Sequence, residues 1–277
     1  MQTPVNAFKA ALQNKQAQIG LWLGLADSYS TEICAGAGFD WLLVDAEHAP
    51  AEPRALLQQL QAIAAFPASH PIGRIPQSRG AVAEMLVKQF LDLGFQTLLA
   101  PMVDTPAQAL ELVRSTRYPQ NNDVGSATRG VRGMAMARAS KFGRVTQYAK
   151  QANAQICLLV QAETQTALDN IEAIAAIDGV DGIFIGPADL SANLGYVLEP
   201  THPVVQKAID TAILRITKAG KAAGILTPDE TLAKHYLDIG ATFVAVGLDT
   251  NLLTRHTSAL ASRFKTKVAP VAAGKVY

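Results

Sequence analysis

Short apolar stretches recur along the chain, and amphipathic stretches of helical period separate them. Eight of them have the length and residue content of strands, and they cover residues 19–25, 39–45, 70–76, 97–102, 155–163, 181–187, 221–227 and 241–247. Several are apolar without alternation, as is typical of parallel strands that are covered on both faces. The pattern predicts a (β/α)8 barrel, the TIM barrel, with an additional N-terminal helix near residues 5–15.

Residues typical of helix termini mark the ends of several predicted helices. The helix over 82–93 is expected to stop at Gly94. Ser28 or Ser30 is expected to cap a helix that runs through Ala37. An open, doubly wound sheet is the alternative architecture, but neither a G-x-G-x-x-G nor a P-loop motif follows any strand. The closed barrel is therefore preferred.

The pattern predicts a single barrel domain over residues 1–264. The last residues, 265–277, show neither helical nor strand period, and they are expected to form a loosely ordered C-terminal tail. The least regular internal stretch is 118–140, which is rich in Gly, Asn, Ser and Arg. A connection of this length is expected to be mobile or functional.

Composition excludes several classes of partner. The chain has 277 residues, 49% hydrophobic and 17% charged, with a formal net charge of +1. This charge offers no basic surface to a nucleic acid or an anionic membrane. Neither a signal peptide nor a membrane span is apparent, so the cytoplasm is the expected location. Two isolated cysteines, Cys34 and Cys157, form no disulfide framework or zinc motif and are expected to be inert, buried thiols.

The active site of such a barrel lies at the carboxyl ends of the strands. Six predicted strands place polar or aromatic residues at or near these ends. They are Trp22 and Asp27 for the first strand, Asp45, Glu47 and His48 for the second, Arg74 for the third, Gln161 and Glu163 for the fifth, Asp189 for the sixth and Thr227 for the seventh. We expect them to converge at the barrel mouth.

Glu163 and Asp189 leave neighbouring strands at the same end, so their carboxylates can meet. Two close carboxylates repel each other unless a cation or a shared proton lies between them. Two carboxylates, with the other positions left to water and substrate oxygens, suit Mg²⁺ or Mn²⁺. The alternative is that each pairs with a basic neighbour, or that Asp189 caps the following helix. The two carboxylates alone do not decide between these interpretations.

Arg74 and His48 add groups suited to enolate chemistry. The guanidinium of Arg74 can stabilise a carboxylate or a developing enolate oxygen, although it can also form a structural ion pair. His48 is the one histidine of five at a predicted carboxyl end of a strand, where it can transfer protons near neutral pH. Asp92 is a candidate to orient it, and Glu47 could be an ion-pair partner at the rim.

A Schiff-base mechanism needs a lysine at the barrel mouth. Lys221 opens the seventh strand and Lys88 lies within a helix, so neither is placed there. The residues therefore favour an enolate stabilised by a metal ion and Arg74 over a covalent intermediate on lysine.

Six segments of the chain carry a family resemblance, and the combination of D-x-E-H, V-Q-x-E and G-P-A-D-L-S within them is specific. They read GLWLGL, AGAGFDWLLVDAEHAP, KQFLDLGFQTLLAPMV, LVQAET, GVDGIFIGPADLSANLGY and GATFVAVGLDT. Together they resemble the HpcH/HpaI family of class II pyruvate aldolases, in the same order over residues 5–264.

The resemblance implies a reversible, metal-dependent retro-aldol cleavage on a TIM barrel. The substrate would be a 4-hydroxy-2-oxo acid such as 4-hydroxy-2-oxoheptanedioate, and the products would be pyruvate and an aldehyde such as succinate semialdehyde, in aromatic catabolism. The cofactor would be Mg²⁺, Mn²⁺ or Co²⁺. The chain would assemble as a homohexamer, a trimer of dimers.

The resemblance also implies a role for individual residues. Glu163 and Asp189 would hold the metal ion, and Arg74 would stabilise the enolate. His48 would be the general base, with Asp92 as the partner that raises its basicity. The matching substrate-binding positions are Gln161, Ala188, Asp189, Asp45, Trp22, Leu226 and Val131.

Two stretches depart from the family pattern. An inserted SRGA stretch lengthens the connection between Arg74 and Asp92, which bears on the pairing of Asp92 with His48. The loop over 118–140 is also longer than its family counterpart, which bears on the aldehyde preference. The alternatives are a sugar-acid aldolase or an oxaloacetate decarboxylase of the same family, or a non-catalytic, metabolite-binding barrel.

Overall fold

The computed structural model describes residues 1–127 and 129–265. Eight parallel strands form one closed barrel in chain order, and the last strand pairs with the first. They are β1 Gln18–Leu23, β2 Trp41–Asp45, β3 His70–Arg74, β4 Thr97–Ala100, β5 Cys157–Ala162, β6 Gly182–Ile185, β7 Ala222–Leu226 and β8 Phe243–Leu248. The predicted TIM barrel is confirmed, and the open sheet is wrong because β8 closes on β1.

Helices follow the strands on the outside of the barrel, and the predicted N-terminal helix is present. Within the described ranges the α-helices are α1 Ala7–Gln13, α2 Ser28–Ala35, α3 Pro53–Ile63, α4 Gly80–Leu93, α5 Pro106–Thr116, α6 Tyr148–Gln155, α7 Gln165–Asp169, α8 Ile171–Ala175, α9 Pro187–Asn193, α10 Pro203–Lys218, α11 Glu230–Asp238 and α12 Asp249–Ser262.

One predicted helix terminus is confirmed and another is wrong. Helix α4 ends at Gly94, whose φ of 111° lies in the left-handed region that glycine enters without a Cβ penalty. Helix α2 is capped by Asp27 instead of Ser28 or Ser30. The Asp27 carboxylate accepts a hydrogen bond from the Ser30 backbone N–H, because an acidic side chain before the helix satisfies a free amide equally well.

Two apolar layers hold the barrel together. The larger layer lies between the strands and the surrounding helices. The smaller fills the barrel interior, where Phe8 of α1 packs edge-on against Trp41 and Phe243 at ring-centroid distances of 6.2 and 6.1 Å. Helix α1 therefore closes the amino-terminal end of the barrel and leaves the carboxyl end as the open mouth.

The described residues of the irregular stretch, 118–127 and 129–140, lie at the amino-terminal end of the barrel, away from the mouth. Its backbone pairs with the end of α5, where the N–H groups of Val131 and Arg132 donate to the carbonyls of Arg114 and Arg117. Tyr118 packs with Tyr148 in a small separate core. These contacts hold the stretch at the amino-terminal end of the barrel.

The predicted C-terminal tail falls almost entirely on residues 266–277, outside the described residues. In the part of the chain that the structure describes, no helix is both long and apolar enough to cross a lipid bilayer. Both cysteines are free thiols, with Cys157 buried and Cys34 partly buried.

Candidate active site

A cavity of about 280 Å³ opens at the carboxyl ends of the strands. Seven residues predicted from the sequence line this mouth cavity. They are Trp22, His48, Arg74, Gln161, Ala188, Asp189 and Leu226. Larger cavities, of about 480 and 470 Å³, lie around α1 at the opposite end and include none of the predicted site residues. The mouth cavity is therefore the candidate active site.

Asp45 and Arg74 form the rigid side of the mouth. They are register partners on β2 and β3, and Arg74 Nε donates to Asp45 Oδ1 at 2.9 Å. The guanidinium also lies 4.7 Å from the centre of the Trp22 ring, whose Nε1–H donates to Asp45 at 3.2 Å. Burial alone would raise the pKa of Asp45, but the hydrogen bonds and charge of Arg74 outweigh it and lower that pKa.

Glu47 and His48 follow Asp45 on the β2–α3 loop, and Asp45 holds that loop. The Asp45 carboxylate accepts hydrogen bonds from the backbone N–H groups of Glu47 and His48 at 2.9 and 3.3 Å. Glu47 Oε2 lies 2.9 Å from Arg74 Nη1, so Glu47 is an ion-pair partner at the rim. Burial raises the pKa of Glu47 although Arg74 and His48 act to lower it.

Glu163 is the most deeply buried acid of the mouth, with 1% of its surface exposed. One carboxylate oxygen, Oε1, accepts a hydrogen bond from the Met102 backbone N–H at 2.7 Å, and the other accepts one from the Gln161 side-chain amide. Burial raises the pKa of Glu163 to about 7, against the lowering effect of these hydrogen bonds. The charges of Asp189 and Glu47 raise it further.

Asp189 lies on the first turn of α9 and is exposed at the mouth. It does not cap the helix, because the N-cap is Gly186 and no side-chain cap bond forms there. Ala188 and Asp189 occupy the second and third helical positions, whose backbone N–H groups have no acceptor within a helix. The sequence alternative of a capping Asp189 is therefore wrong.

The mouth has the features expected of a site for a divalent cation. Three carboxylates, Glu47, Glu163 and Asp189, influence one another through charge, and Arg74 is already bound to Asp45. The Gln161 side-chain oxygen is buried without a hydrogen-bond partner. Among the described residues, no group of three or more His, Cys, Asp or Glu side chains has the arrangement of a metal cluster. Glu163 and Asp189 could therefore hold a hard cation whose other ligands are water and substrate oxygens.

Asp92 and Val131 are two predicted site residues that the fold places elsewhere. Asp92 lies near the end of α4, a helix of 14 residues that runs about 21 Å away from the mouth. Its carboxylate binds Arg132, whose side chain is fully buried, at 2.8 Å. Val131 is half-exposed on the loop at the same end. Neither residue is among those that line the mouth cavity of its own chain.

Two residues of the site were missed by sequence reasoning. Gly186 follows β6, and a Cβ atom there would lie 2.3 Å from Glu163 Oε2. A glycine at the carboxyl end of a strand is a readable sign of close approach. Met102 acts through its backbone N–H, so its side chain type gives no signal.

A closed barrel with acidic, guanidinium and imidazole groups around one cavity at its strand ends defines a TIM-barrel enzyme. The HpcH/HpaI aldolase/citrate lyase family matches residues 18–256. The chain belongs to this family, so the resemblance seen in the sequence is confirmed.

Similar proteins agree with this assignment over nearly their whole length. The chain is 58% identical to a protein of Deinococcus radiodurans named hydroxypyruvate/pyruvate aldolase, over 95% of this chain and 91% of that relative. It is 54% identical to an Escherichia coli protein named 4-hydroxy-2-oxo-heptane-1,7-dioate aldolase, over 97% of this chain and 98% of that relative.

A solved structure of a family member has the same fold. The crystal structure of an HpcH/HpaI aldolase/citrate lyase family protein from Burkholderia cenocepacia superposes with a TM-score of 0.87 at 38% identity. The match covers 94% of this chain and 99% of that one. The prediction that the chain is an aldolase, a carbon–carbon lyase, is confirmed by its family and relatives.

Proposed function

We propose that the chain is a divalent-metal-dependent pyruvate aldolase that cleaves 4-hydroxy-2-oxo acids reversibly to pyruvate and an aldehyde. The observation that supports this most directly is that Asp189, Arg74 and His48 line one cavity and that the charge of Asp189 reaches the buried Glu163, whose pKa it raises. A bound Mg²⁺, Mn²⁺ or Co²⁺ would supply Lewis-acid polarisation of the 2-oxo acid. Glu163 and Asp189 are the residues that would hold it.

Arg74 is proposed to stabilise negative charge on the enolate oxygen. Its guanidinium is fixed by Asp45, by Glu47 and by the face of the Trp22 ring. A cation that is already oriented needs no reorganisation when charge develops during the reaction, so its stabilisation is greatest in the transition state.

His48 is proposed as the general base that takes the proton from the 4-hydroxyl group of the substrate. It is exposed to the mouth cavity, and its backbone N–H is held by Asp45. Gln161, with its free side-chain oxygen, and the backbone of Ala188 and Asp189 are proposed to bind the 2-oxo acid. Trp22 and Leu226 also line the cavity and are proposed to contact the aldehyde portion.

Asp92 is proposed to raise the basicity of His48 from a second copy of the chain. The two residues lie at opposite ends of one barrel, so the pairing needs another subunit of a homo-oligomer. A homohexamer built as a trimer of dimers is the proposed assembly, and it would bring Val131 to a neighbouring mouth in the same way. Light scattering after size-exclusion chromatography would measure the assembly.

The central experiment follows exchange of the pyruvate methyl protons in D₂O by NMR, with and without a chelator. Enolate formation on the protein predicts exchange that stops with EDTA and returns with Mg²⁺, Mn²⁺ or Co²⁺. Absence of exchange with every metal would overturn the proposal and favour a non-catalytic, metabolite-binding barrel. Treatment with borohydride and pyruvate is expected to leave activity intact, because none of the described residues lining the mouth cavity is a lysine.

The substrate is to be identified with a panel of 2-oxo acids and aldehydes. The names of the two relatives support two choices, namely hydroxypyruvate as the nucleophile and 4-hydroxy-2-oxoheptanedioate as the cleaved acid. Faster cleavage of the heptanedioate to pyruvate and succinate semialdehyde supports a role in aromatic catabolism. Preference for hydroxypyruvate supports a sugar-acid aldolase, and release of carbon dioxide from oxaloacetate as the fastest reaction supports a decarboxylase. The free thiols fit a reducing compartment, so the cytoplasm is the proposed location.

A further inference from the structure

Met102, which donates a backbone hydrogen bond to Glu163, has an unusual backbone conformation. Met102 lies just beyond β4 and has a φ of 52°, in the left-handed region that residues with a Cβ rarely adopt. Its N–H donates to Glu163 Oε1 at 2.7 Å, and the φ of 52° sets the angle between the peptide that carries this N–H and the peptide that follows. Such a conformation persists only where the surrounding structure holds it.

The peptide that follows Met102 is held at both of its polar groups. The Val103 N–H donates to the Gln161 backbone carbonyl at 3.0 Å. The Met102 carbonyl accepts a hydrogen bond from Arg79 Nη2 at 3.2 Å. Because a peptide group is planar, these two bonds fix its orientation and so restrain Met102 from relaxing to a common conformation.

Asp104 connects Arg79 to the residue next to Glu163. One Asp104 oxygen lies 2.7 Å from Arg79 Nη2. The other accepts a hydrogen bond from the Thr164 hydroxyl at 2.6 Å. The loops after β3, β4 and β5 are therefore joined at one carboxylate, with Glu163 between them.

The ion pair between Arg79 and Asp104 contributes little to the free energy of unfolding by itself. The Arg79 side chain is 50% exposed, and pairs of that kind are typically worth less than about 1 kcal/mol. The contacts of the pair nevertheless converge on the backbone that holds Glu163.

We propose that Arg79 and Asp104 are positioning residues that keep the Met102 N–H on Glu163 and thereby set the cation affinity of the mouth. As far as it concerns the cation, the proposal rests on the proposed function. With Oε1 bound to the backbone, Glu163 presents Oε2 in one orientation. Loss of the ion pair frees Met102 to relax and Glu163 to rotate. Loss of a group that hydrogen-bonds a metal ligand, as the Met102 N–H does, typically weakens metal binding about 10-fold or more.

The experiment compares Arg79→Met and Asp104→Asn with a chemically matched control, Arg215→Met. Arg215 also bridges a carboxylate and a backbone carbonyl, those of Glu172 and Leu168, but it does so on the outside of the barrel. Isothermal titration calorimetry of the full-length protein with Mn²⁺ alone measures the affinity. Hydrogen exchange of the Met102 amide, without metal, measures its restraint directly.

The expected result is faster exchange of the Met102 amide and a Kd for Mn²⁺ raised about 10-fold in both mouth variants, with Arg215→Met unchanged. Arg79→Lys is expected to recover part of the affinity, and the Arg79→Met/Asp104→Asn double variant to lose no more than either single one. Unchanged exchange of the Met102 amide, or faster exchange with an unchanged Kd, overturns the proposal. If the parent protein binds no Mn²⁺, the metal site of the proposed function fails, while amide exchange still decides whether Arg79 restrains Met102.

Discussion

Gly186 and Glu163 are in such close contact that the site has no space for a methyl group between them. A Cβ atom on Gly186 would stand 2.3 Å from Glu163 Oε2 and 3.1 Å from Gln161 Nε2. The backbone of Gly186, with φ of −92° and ψ of 97°, is open to any residue. The glycine is therefore required by the neighbouring carboxylate and not by the turn.

Replacement of Gly186 by alanine is expected to remove metal binding while the barrel stays folded. The added methyl group displaces the Glu163 carboxylate, whereas the backbone tolerates the substitution. Mn²⁺ titration and circular dichroism measure the two properties separately. Gly195→Ala is not a suitable control because its φ of 88° adds backbone strain; Gly133→Ala is suitable, because the nearest atom to its Cβ is 3.7 Å away. Normal Mn²⁺ affinity in Gly186→Ala would contradict the close contact.

The Glu163→Gln substitution is expected to stabilise the metal-free protein at pH 8 although it abolishes metal binding. The rise of the Glu163 pKa from 4.5 to about 7 corresponds to about 3 kcal/mol of lost stability once the group is ionised, since one pH unit of difference costs about 1.4 kcal/mol. A glutamine carries no charge, and the free oxygen of Gln161 can accept a hydrogen bond from it. Urea unfolding with EDTA would measure the gain.

The stability that Glu163→Gln gains depends on pH because the pKa of Glu163 is raised in the folded state. Because the folded-state pKa is raised, the parent protein binds an extra proton between pH 4.5 and about 7 and loses stability as the pH rises through this window. The parent and the Glu163→Gln variant should therefore be similarly stable below pH 4.5 and differ most above pH 7. An equal difference at pH 5 and pH 8 would show that Glu163 titrates at its ordinary pKa.

Metal affinity should increase as Glu163 ionises, whereas the stability of the metal-free protein should decrease. The cation competes with the proton on Glu163, so the Kd for Mn²⁺ is expected to rise about 10-fold for each pH unit below about 7. Above that pH, the Kd should level off. Titrations between pH 5.5 and 8.5 would show the break, and an affinity that does not change over this range would exclude Glu163 as a ligand.

Removal of Arg74 is expected to impair the fold as well as the chemistry. Asp45 is 4% exposed, and Arg74→Met would leave its charge without a cation, which typically costs about 3–5 kcal/mol. The Arg74→Met/Asp45→Asn double variant should regain much of this stability, because it removes both charges. It should still fail to exchange the pyruvate protons. Normal exchange in the double variant would take Arg74 out of the mechanism.

The barrel and most of its mouth were predictable from the sequence for a common physical reason. Strands buried on both faces are apolar throughout, so an ionisable residue such as Asp45 or Glu163 stands out at their ends. The parallel barrel then brings those ends together, whatever the helices between them. Five residues of the cavity lining follow from this rule, whereas Ala188 and Leu226 were predicted only from the family resemblance.

The contacts that hold the site were not predictable in the same way. Met102 contributes only its backbone N–H, which any residue type except proline could supply. Arg79 and Asp104 lie on two irregular loops, which lack the periodic hydrophobic pattern that predicts contacts. The distance between Asp92 and His48 could have been foreseen. A helix that follows a strand runs back to the far end of the barrel, so the end of the predicted 82–93 helix cannot reach the mouth it left.

Asp92 and His48 can thus act together only between two copies of the chain, which a mixing experiment tests. His48→Ala and Asp92→Asn are each expected to lose most aldolase turnover, and the asparagine keeps an acceptor for Arg132. Reassembled from equal amounts of both variants, about one quarter of the sites would hold an intact His48 and an intact Asp92 from a neighbour. Turnover should then recover to about that fraction of the parent value. Mixtures no more active than the separate variants would exclude pairing between subunits, and Asp92 would keep only its structural ion pair with Arg132.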